Sequence, residues 1–177
     1  MAATAFVNRD EVESRPASSW YVLFALAARR FALPLAVVER CVRIVDITAL
    51  PKAPGIVLGV INVAGRIIPV VDVRKRFGLP ERGIVASDQL LIARTSTQLS
   101  ARTLALWVDA VEGVVAWAAD RVPAAVPGHE TEYVTGILRL SDGLVLIHDL
   151  GQFLSLTEGV VLDQVIAEVA GTRDRRT

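Results

Sequence analysis

The sequence is short of cysteine, aromatic residues and net charge. Its 19 basic and 19 acidic side chains cancel, so no long-range field would attract a phosphate backbone or an anionic membrane. Aromatic residues make up 6% of the chain, which argues against an RNA-binding barrel with a basic, aromatic-studded face. Cys41 is the single cysteine, so no intramolecular disulfide is possible, and it lies in an apolar-rich run as a small hydrophobe would. No nucleic-acid partner is predicted.

Long hydrophobic runs are also missing. Charged residues such as Arg29, Lys52 and Arg139 interrupt every apolar stretch before it reaches about 18 residues, the length that indicates a membrane-spanning helix. The first ten residues lack the basic and apolar regions of a secretory signal. We therefore expect a cytoplasmic protein without direct membrane insertion.

Motifs for catalysis and metal binding are absent as well. The two histidines, His129 and His148, belong to no zinc, nucleophile-elbow or phosphate-loop motif. We predict no enzyme activity, no catalytic residue, no cofactor and no metal. An enzyme with an unrecognised site stays as an alternative, which stoichiometric binding of a metal or nucleotide would favour.

The sequence does contain an internal repeat. Residues 59–77 return in degenerate form as residues 136–154, at a constant offset of 77. In both copies a glycine opens an apolar strand, a tight turn follows, and a second strand runs up to an aspartate. A weaker echo relates residues 31–39 to residues 104–112 at an offset of 73. The chain is therefore predicted to contain two similar β units with a groove between them.

The two aspartates of the repeat, Asp72 and Asp149, could form a carboxylate pair for acid–base chemistry. Each, however, stands in its own copy, at the point where a short helix is predicted to begin. An aspartate there accepts hydrogen bonds from the first backbone N–H groups of the helix. We interpret both as helix N-caps. His148 occupies the position of Val71 in the first copy and is interpreted as a polar residue tolerated at a strand end.

Composition and periodicity divide the chain into segments. A terminal helix is predicted because Leu162, Val165, Ile166 and Val169 recur at helical spacing, and we expect this stripe to pack on its own barrel, with a partner as the alternative. The predicted segments are a disordered arm over 1–19, a domain over 20–156 with subdomains at about 20–80 and 88–150, the helix over 157–170 and a polar tail over 171–177.

The segment from Val57 to Phe77 resembles the signature of the CheW family of chemotaxis coupling proteins. The resemblance extends over residues 20–156 and includes residues 105–112 and 132–136. It implies a mainly β fold of two five-stranded, SH3-like barrels with short helices and a C-terminal helix. It also implies a non-enzymatic adaptor that couples the cytoplasmic tips of methyl-accepting chemoreceptors to a chemotaxis histidine kinase.

The implied partners are the regulatory domain of that kinase, the receptor tip and other CheW-like proteins, in arrays to which the adaptor is attached through its partners. Two alternatives share the same fold. One is an adaptor for a non-flagellar output, such as surface motility or second-messenger control. The other is a detached kinase regulatory domain. Genomic neighbours would discriminate between them.

The family resemblance also implies two sites. The positions that match the apolar receptor groove are equally compatible with the core; they are Val37, Leu90, Ala105, Val111 and Val114. The positions that match the kinase-facing barrel end are Glu39, Asn62, Val63, Gly65 and Arg66. The chain departs from the usual Asn-Leu-Arg-Gly turn by carrying Ala64, so the expected arginine partner of Glu39 is missing. Arg66 is the alternative partner for this acid.

Overall fold

The computed structural model describes residues 19–96, 101–117, 134–152 and 154–173. The predicted arm lies outside these residues except for Ser19, as do the last four residues of the predicted tail. The described strands are β1 Ser19–Leu26, β2 Arg29–Pro34, β3 Val38–Arg43, β4 Val57–Val63, β5 Arg66–Val71, β6 Gln89–Ser96, β7 Ala101–Val108, β8 Ala110–Trp117, β9 Val134–Leu140 and β10 Gly143–His148. The helices are α1 Val73–Arg76, α2 Leu156–Arg173 and two 3₁₀ turns, Leu35–Val37 and Leu150–Gln152.

The strands form two five-stranded sheets with the same topology. The first sheet, barrel 1, has the order β8-β1-β2-β10-β9, and the second, barrel 2, has the order β3-β6-β7-β5-β4. Adding five to each strand number, and counting on from β10 to β1, converts the first order into the second. Each barrel contains one parallel pair, β2 with β10 and β5 with β7. The prediction of a mainly β fold with two five-stranded, SH3-like units is confirmed.

The two barrels exchange their first hairpins. The hairpin β1–β2 comes from the N-terminal half but pairs with β8 and β10, whereas β6–β7 pairs with β3 and β5. The predicted division into sequential subdomains at 20–80 and 88–150 therefore does not describe how the strands are grouped. A repeat identifies which strands are equivalent, but it does not say which copy completes each sheet.

Alternation along the strands separates three apolar cores. One lies in barrel 1 and includes Leu23, Leu138 and Ile147. A second, in barrel 2, consists of Ile61, Ile68, Val70, Leu90, Ile92, Ala105 and Trp107. The third, the inter-barrel core, takes residues from both sheets, among them Phe24, Leu33, Leu91, Leu104 and Leu106. Because side chains point to opposite faces in turn, each central strand supplies its own barrel and the inter-barrel core.

Two hairpins turn tightly through alanine. Ala27 and Ala28 link β1 to β2 with φ of 49° and 62°. Ala64 and Gly65 link β4 to β5 with φ of 50° and 85°. Two consecutive residues with positive φ match the twist of a two-residue hairpin, although a Cβ makes this conformation unfavourable. Cys41 lies on β3 with its side chain exposed, so it is not the interior hydrophobe that its apolar-rich neighbourhood favours.

The interpretation of the repeated aspartates as caps is confirmed. An oxygen of Asp72 accepts a hydrogen bond from the backbone N–H of Arg74 at 3.1 Å, at the start of α1. An oxygen of Asp149 accepts one from the N–H of Gly151 at 2.8 Å, in the following 3₁₀ turn. Each carboxylate is thus used locally, in its own copy of the repeat.

The terminal helix α2 spans Leu156–Arg173 rather than residues 157–170. It begins earlier because Ser155 and Glu158 form a capping box. The Ser155 N–H donates to the Glu158 carboxylate at 2.8 Å, and the Glu158 N–H donates to the Ser155 hydroxyl at 3.2 Å. Leu162 and Val165 are buried in the inter-barrel core, and Ile166 packs against it. Packing of α2 on its own barrels is therefore confirmed; the side chain of Val169 lies outside the described part.

Candidate partner-docking sites

An apolar wall faces outward from the edge of barrel 1. Strand β8 carries a bulge at Glu112, because Phe24 pairs with Val111 while Leu23 pairs with Gly113. The bulge returns Val111 and Val114 to the same face of the sheet, since directly opposite residues share a face. Val111 is half-buried against the inter-barrel core, and Val114 is 48% exposed.

Two further residues extend this wall. Val37, in the 3₁₀ turn after β2, is half-buried against the same inter-barrel core. Trp20 pairs with Ala116, shares the face of Val22 two residues on, and is 57% exposed. We call Trp20, Val37, Val111 and Val114 the apolar groove. Sequence analysis missed Trp20, although an exposed tryptophan is a common anchor at protein interfaces.

Leu90 and Ala105 do not line this groove. Both are completely buried inside barrel 2. Their neighbours Leu91 and Leu106 point instead into the inter-barrel core, because alternation along β6 and β7 sends successive side chains to opposite faces. The structure corrects these two predicted groove positions to core positions, which was the alternative considered for them.

The kinase-facing residues of the prediction meet around Glu39. Its carboxylate accepts hydrogen bonds from Arg66 at 3.0 Å, Arg94 at 3.3 Å and Thr103 at 3.2 Å. Arg66 also donates to the Thr103 hydroxyl at 2.8 Å. The hydrogen bond from Arg66 outweighs the effect of burial and holds the pKa of Glu39 below its ordinary value. Arg66 thus supplies the guanidinium that position 64 lacks.

The rest of this site is the β4–β5 turn. Asn62 is exposed and its side-chain oxygen accepts the Gly65 N–H at 2.9 Å, which fixes the turn. Val63 is half-buried against the core of barrel 2. Gly65 and Arg66 are exposed. We call Glu39, Arg66, Arg94 and the β4–β5 turn the charged hairpin site. Sequence analysis missed Arg94 and Thr103, which approach Glu39 only through strand pairing.

An ionic cluster around the buried Asp88 joins the linker between α1 and β6 to barrel 2. Arg82 donates to both carboxylate oxygens of Asp88 at 2.9 and 2.6 Å, and the Trp107 indole N–H donates to the same carboxylate at 2.9 Å. Burial alone would raise the pKa of Asp88, but these hydrogen bonds and the one from the Val85 N–H hold it below its ordinary value. Nothing in the local sequence indicates this cluster.

The cluster also connects the barrels. The Arg74 guanidinium lies 4.4 Å from the Trp107 ring centroid and forms an ion pair with Asp109. Asp109 in turn accepts the N–H of Ala27, in the β1–β2 turn of barrel 1, at 2.7 Å. Removal of buried charges from water is costly unless they are paired. This pairing therefore favours one relative placement of α1, β7 and the exchanged hairpin.

Among the described residues, no group of three His, Cys, Asp or Glu side chains could hold a metal ion. His148 is buried, and its ring meets the Phe77 ring edge-to-face with the two centroids 4.6 Å apart, while its Nδ1 lies 3.1 Å from the Leu146 carbonyl oxygen. His129 lies outside the described residues. No helix in the described ranges is long and apolar enough to cross a membrane.

Two exchanged five-stranded barrels with an exposed apolar groove and a separate charged hairpin define a protein-binding adaptor domain. The protein-family model of the CheW-like domain matches residues 21–158 of this chain. The chain belongs to the CheW family.

Several known proteins that are similar to this chain are CheW proteins. The Chemotaxis protein CheW of Treponema pallidum is 26% identical over 140 residues, covering 77% of this chain and 82% of the relative. The Chemotaxis protein CheW of Klebsiella aerogenes is 23% identical over 148 residues, covering 82% and 87%. The crystal structure of the scaffolding protein TtCheW from Thermoanaerobacter tengcongensis superposes with a TM-score of 0.70 at 30% identity, covering 80% of this chain and 95% of that one. The chain is a non-enzymatic scaffolding adaptor of chemotaxis.

Proposed function

We propose that this adaptor couples the cytoplasmic tips of methyl-accepting chemoreceptors to the regulatory domain of a chemotaxis histidine kinase. The observation that carries the proposal is the presence of two docking surfaces of different chemistry on one fold. The apolar groove suits a helix that buries an apolar stripe, and the charged hairpin site suits a polar barrel end. We place the protein in the cytoplasm, attached to receptor arrays through its partners, which include other CheW-like proteins.

The groove would bind a receptor helix mainly by removing apolar surface from water. Val114 and Trp20 are about half exposed, and both project from the same sheet face. Burial of apolar surface contributes about 25 cal/mol for each Å². Val111 adds a fixed wall, because its N–H donates to the Gln89 side chain at 2.6 Å and thereby ties β8 to barrel 2.

The charged hairpin site would set the orientation of the kinase domain. Arg66 and Arg94 are more than half exposed, yet both are directed toward Glu39. A preorganised guanidinium loses less side-chain entropy on binding than a mobile one. The adaptor supplies no chemistry of its own; it acts by holding its partners in a fixed geometry.

The experiment compares Val114→Asp with Val45→Asp. Both valines are 48% exposed, but only Val114 lies in the apolar groove. A carboxylate at position 114 must be desolvated by a docked helix, so co-sedimentation with receptor-containing membranes should fall at least about tenfold, or about 1.4 kcal/mol. Val45→Asp should leave receptor binding unchanged. Equal binding by two folded variants would refute the groove assignment.

A further inference from the structure

Between the described strands, the chain passes from one barrel to the other at two places, and Asp109 is one of them. Strand β7 of barrel 2 ends at Val108 and β8 of barrel 1 begins at Ala110, so Asp109 alone makes this crossing. The other crossing, from β2 to β3, uses the 3₁₀ turn Leu35–Val37. A connection of one residue has only two backbone dihedral angles to vary.

Asp109 is bonded to both sides of this crossing. Its N–H donates to the Ala25 carbonyl at 3.0 Å, and its carboxylate accepts the Ala27 N–H at 2.7 Å, both in barrel 1. The same carboxylate forms ion pairs with Arg74 of α1 and Arg82 of the linker, beside barrel 2. Arg74 is completely buried, and a buried charge is costly without its partner. These contacts therefore resist rearrangement.

The turn that Asp109 holds is unfavourable on its own. Ala27 and Ala28 have φ of 49° and 62°, a region in which the backbone crowds a Cβ. Residues in such conformations persist where the surrounding structure holds them. The Asp109 carboxylate contributes to this hold, because it accepts the Ala27 N–H directly. The turn belongs to the exchanged hairpin β1–β2, so its position bears on where barrel 1 lies.

The crossing at Leu35–Val37 lacks an equivalent ionic cluster. Three members of the cluster correspond in the internal repeat to uncharged residues: Trp107, Asp109 and Arg74 become Pro34, Ala36 and Gly151. A cavity of about 170 Å³ lies beside this crossing, and Pro34 and Gly151 are in its lining. Val37 of the apolar groove and Arg94 of the charged hairpin site line the same cavity. Because protein interiors are close-packed, the cavity marks a looser junction than the one at Asp109.

We propose that Asp109 is the positioning residue of this adaptor and that its link to Ala27 fixes the angle between the two barrels. With one crossing held by Asp109 and the other loosely packed, relative movement of the barrels turns about Asp109. Such movement changes the placement of the apolar groove relative to the charged hairpin site. The consequence for partners rests on the proposed function, in which these two surfaces hold a receptor and a kinase in a fixed geometry.

Distances between two spin labels measure the barrel angle in the protein alone. Cys41, the single cysteine, is exposed on β3 of barrel 2, and Leu144→Cys supplies a second exposed position on barrel 1. In double electron–electron resonance, Asp109→Ala should widen the distance distribution at least about twofold. Asp163→Ala, which removes an acid from its ion pair with Arg102, should leave the width unchanged. An unchanged width for folded Asp109→Ala would overturn the proposal.

Two double variants separate the hydrogen bond to Ala27 from the buried ion pair. Arg74→Met with Asp109→Ala removes both charges of the pair, so no buried cation is left without its acid. Arg74→Met with Asp109→Asn lacks the same ion pair, but the asparagine oxygen can still accept the Ala27 N–H. The first variant should widen the distribution and the second should restore it. Equal widths for the two variants, both verified as folded by circular dichroism melting, would overturn the positioning role.

The consequence for partners is measured separately, with receptor tips and a kinase regulatory domain. Asp109→Ala should bind each partner alone within about twofold of the unchanged protein. The yield of the three-component complex should fall at least about fivefold, because simultaneous engagement depends on geometry. Full assembly despite a widened distribution would overturn the role of Asp109 in the adaptor. If the unchanged protein binds neither partner, the proposed function fails, while the distance distributions still decide whether Asp109 fixes the barrel angle.

Discussion

Replacement of Leu162 by alanine tests how α2 is held on the barrels. The Leu162 side chain is completely buried in the inter-barrel core, so the substitution leaves a cavity in that core. Truncation of a buried leucine to alanine costs about 2–5 kcal/mol. For a domain of this size each kcal/mol lowers the melting temperature by about 2–4 °C. We therefore expect a decrease of about 4–20 °C.

Val160 on the same helix provides the matched control. Its side chain is 56% exposed, so Val160→Ala removes little buried area and slightly improves helix propensity. Its effect on the free energy of unfolding should stay within about 0.5 kcal/mol.

Thermal unfolding followed by circular dichroism, together with urea unfolding at an unchanged m-value, gives the comparison. If Leu162→Ala melts within about one degree of Val160→Ala, the burial of α2 on the barrels is refuted. A melting temperature between these limits measures how far the inter-barrel core relaxes around the lost side chain.

Three further predictions concern other parts of the fold. Ala64→Gly should raise the free energy of unfolding by about 0.5 kcal/mol, since relief of the positive φ exceeds the added chain entropy, and a decrease in urea midpoint would contradict this. In calorimetry, Arg66→Ala should weaken binding to a kinase regulatory domain about fivefold, whereas the control Arg43→Ala should not, and adding Ala64→Arg to the Arg66→Ala variant should restore the affinity. An unchanged affinity of Arg66→Ala would disprove a role for its pair with Glu39. The pKa of Asp88 is lowered in the folded protein, so ionised Asp88 contributes fully to the free energy of unfolding above about pH 5, and this contribution is lost as the pH falls through the folded pKa. In urea unfolding at a series of pH values, Asp88→Asn should therefore lose less stability in acid than the unchanged protein, and parallel pH profiles would argue against this.

Local features of the fold were predictable from the sequence. The hairpin β4–β5, its repeat β9–β10 and the caps at Asp72 and Asp149 each depend on residues close together in the chain, where turn and cap preferences act directly. The Ser155–Glu158 capping box was equally local and readable, but the start of α2 was predicted two residues later than its N-cap.

The exchange of hairpins was not predictable in the same way. It depends on pairing between strands far apart in sequence, such as β1 with β8 and β3 with β6. Both arrangements, exchanged and sequential, satisfy the same alternation of apolar residues. The choice is made by contacts between the copies, which include the Asp109 link to the Ala27 N–H.

The predicted sites were partly right and partly wrong, as the predicted fold was. Glu39 and Arg66 were identified through the family resemblance, and the structure brings them together across a separation of 27 residues. Leu90 and Ala105 were assigned to the groove by the family resemblance, and the structure buries both in the core, which was the alternative. Alternation could not correct the assignment, because it shows that a strand has two faces without showing which one meets solvent. The ion cluster around Trp107 was missed since its members come from distant elements.

The exchanged topology suits the proposed function, in which this chain of 177 residues holds two partners in a fixed geometry. The chain passes between the barrels twice, from β2 to β3 through the 3₁₀ turn Leu35–Val37 and from β7 to β8 through Asp109 alone. Both connections are short, so the barrels stay side by side while their strands remain paired. The inter-barrel core, which α2 joins through Leu162 and Val165, and the link from Asp109 to Ala27 oppose separation of the barrels. An adaptor without chemistry of its own transmits only geometry, so a fold in which each half completes the other is suited to that task.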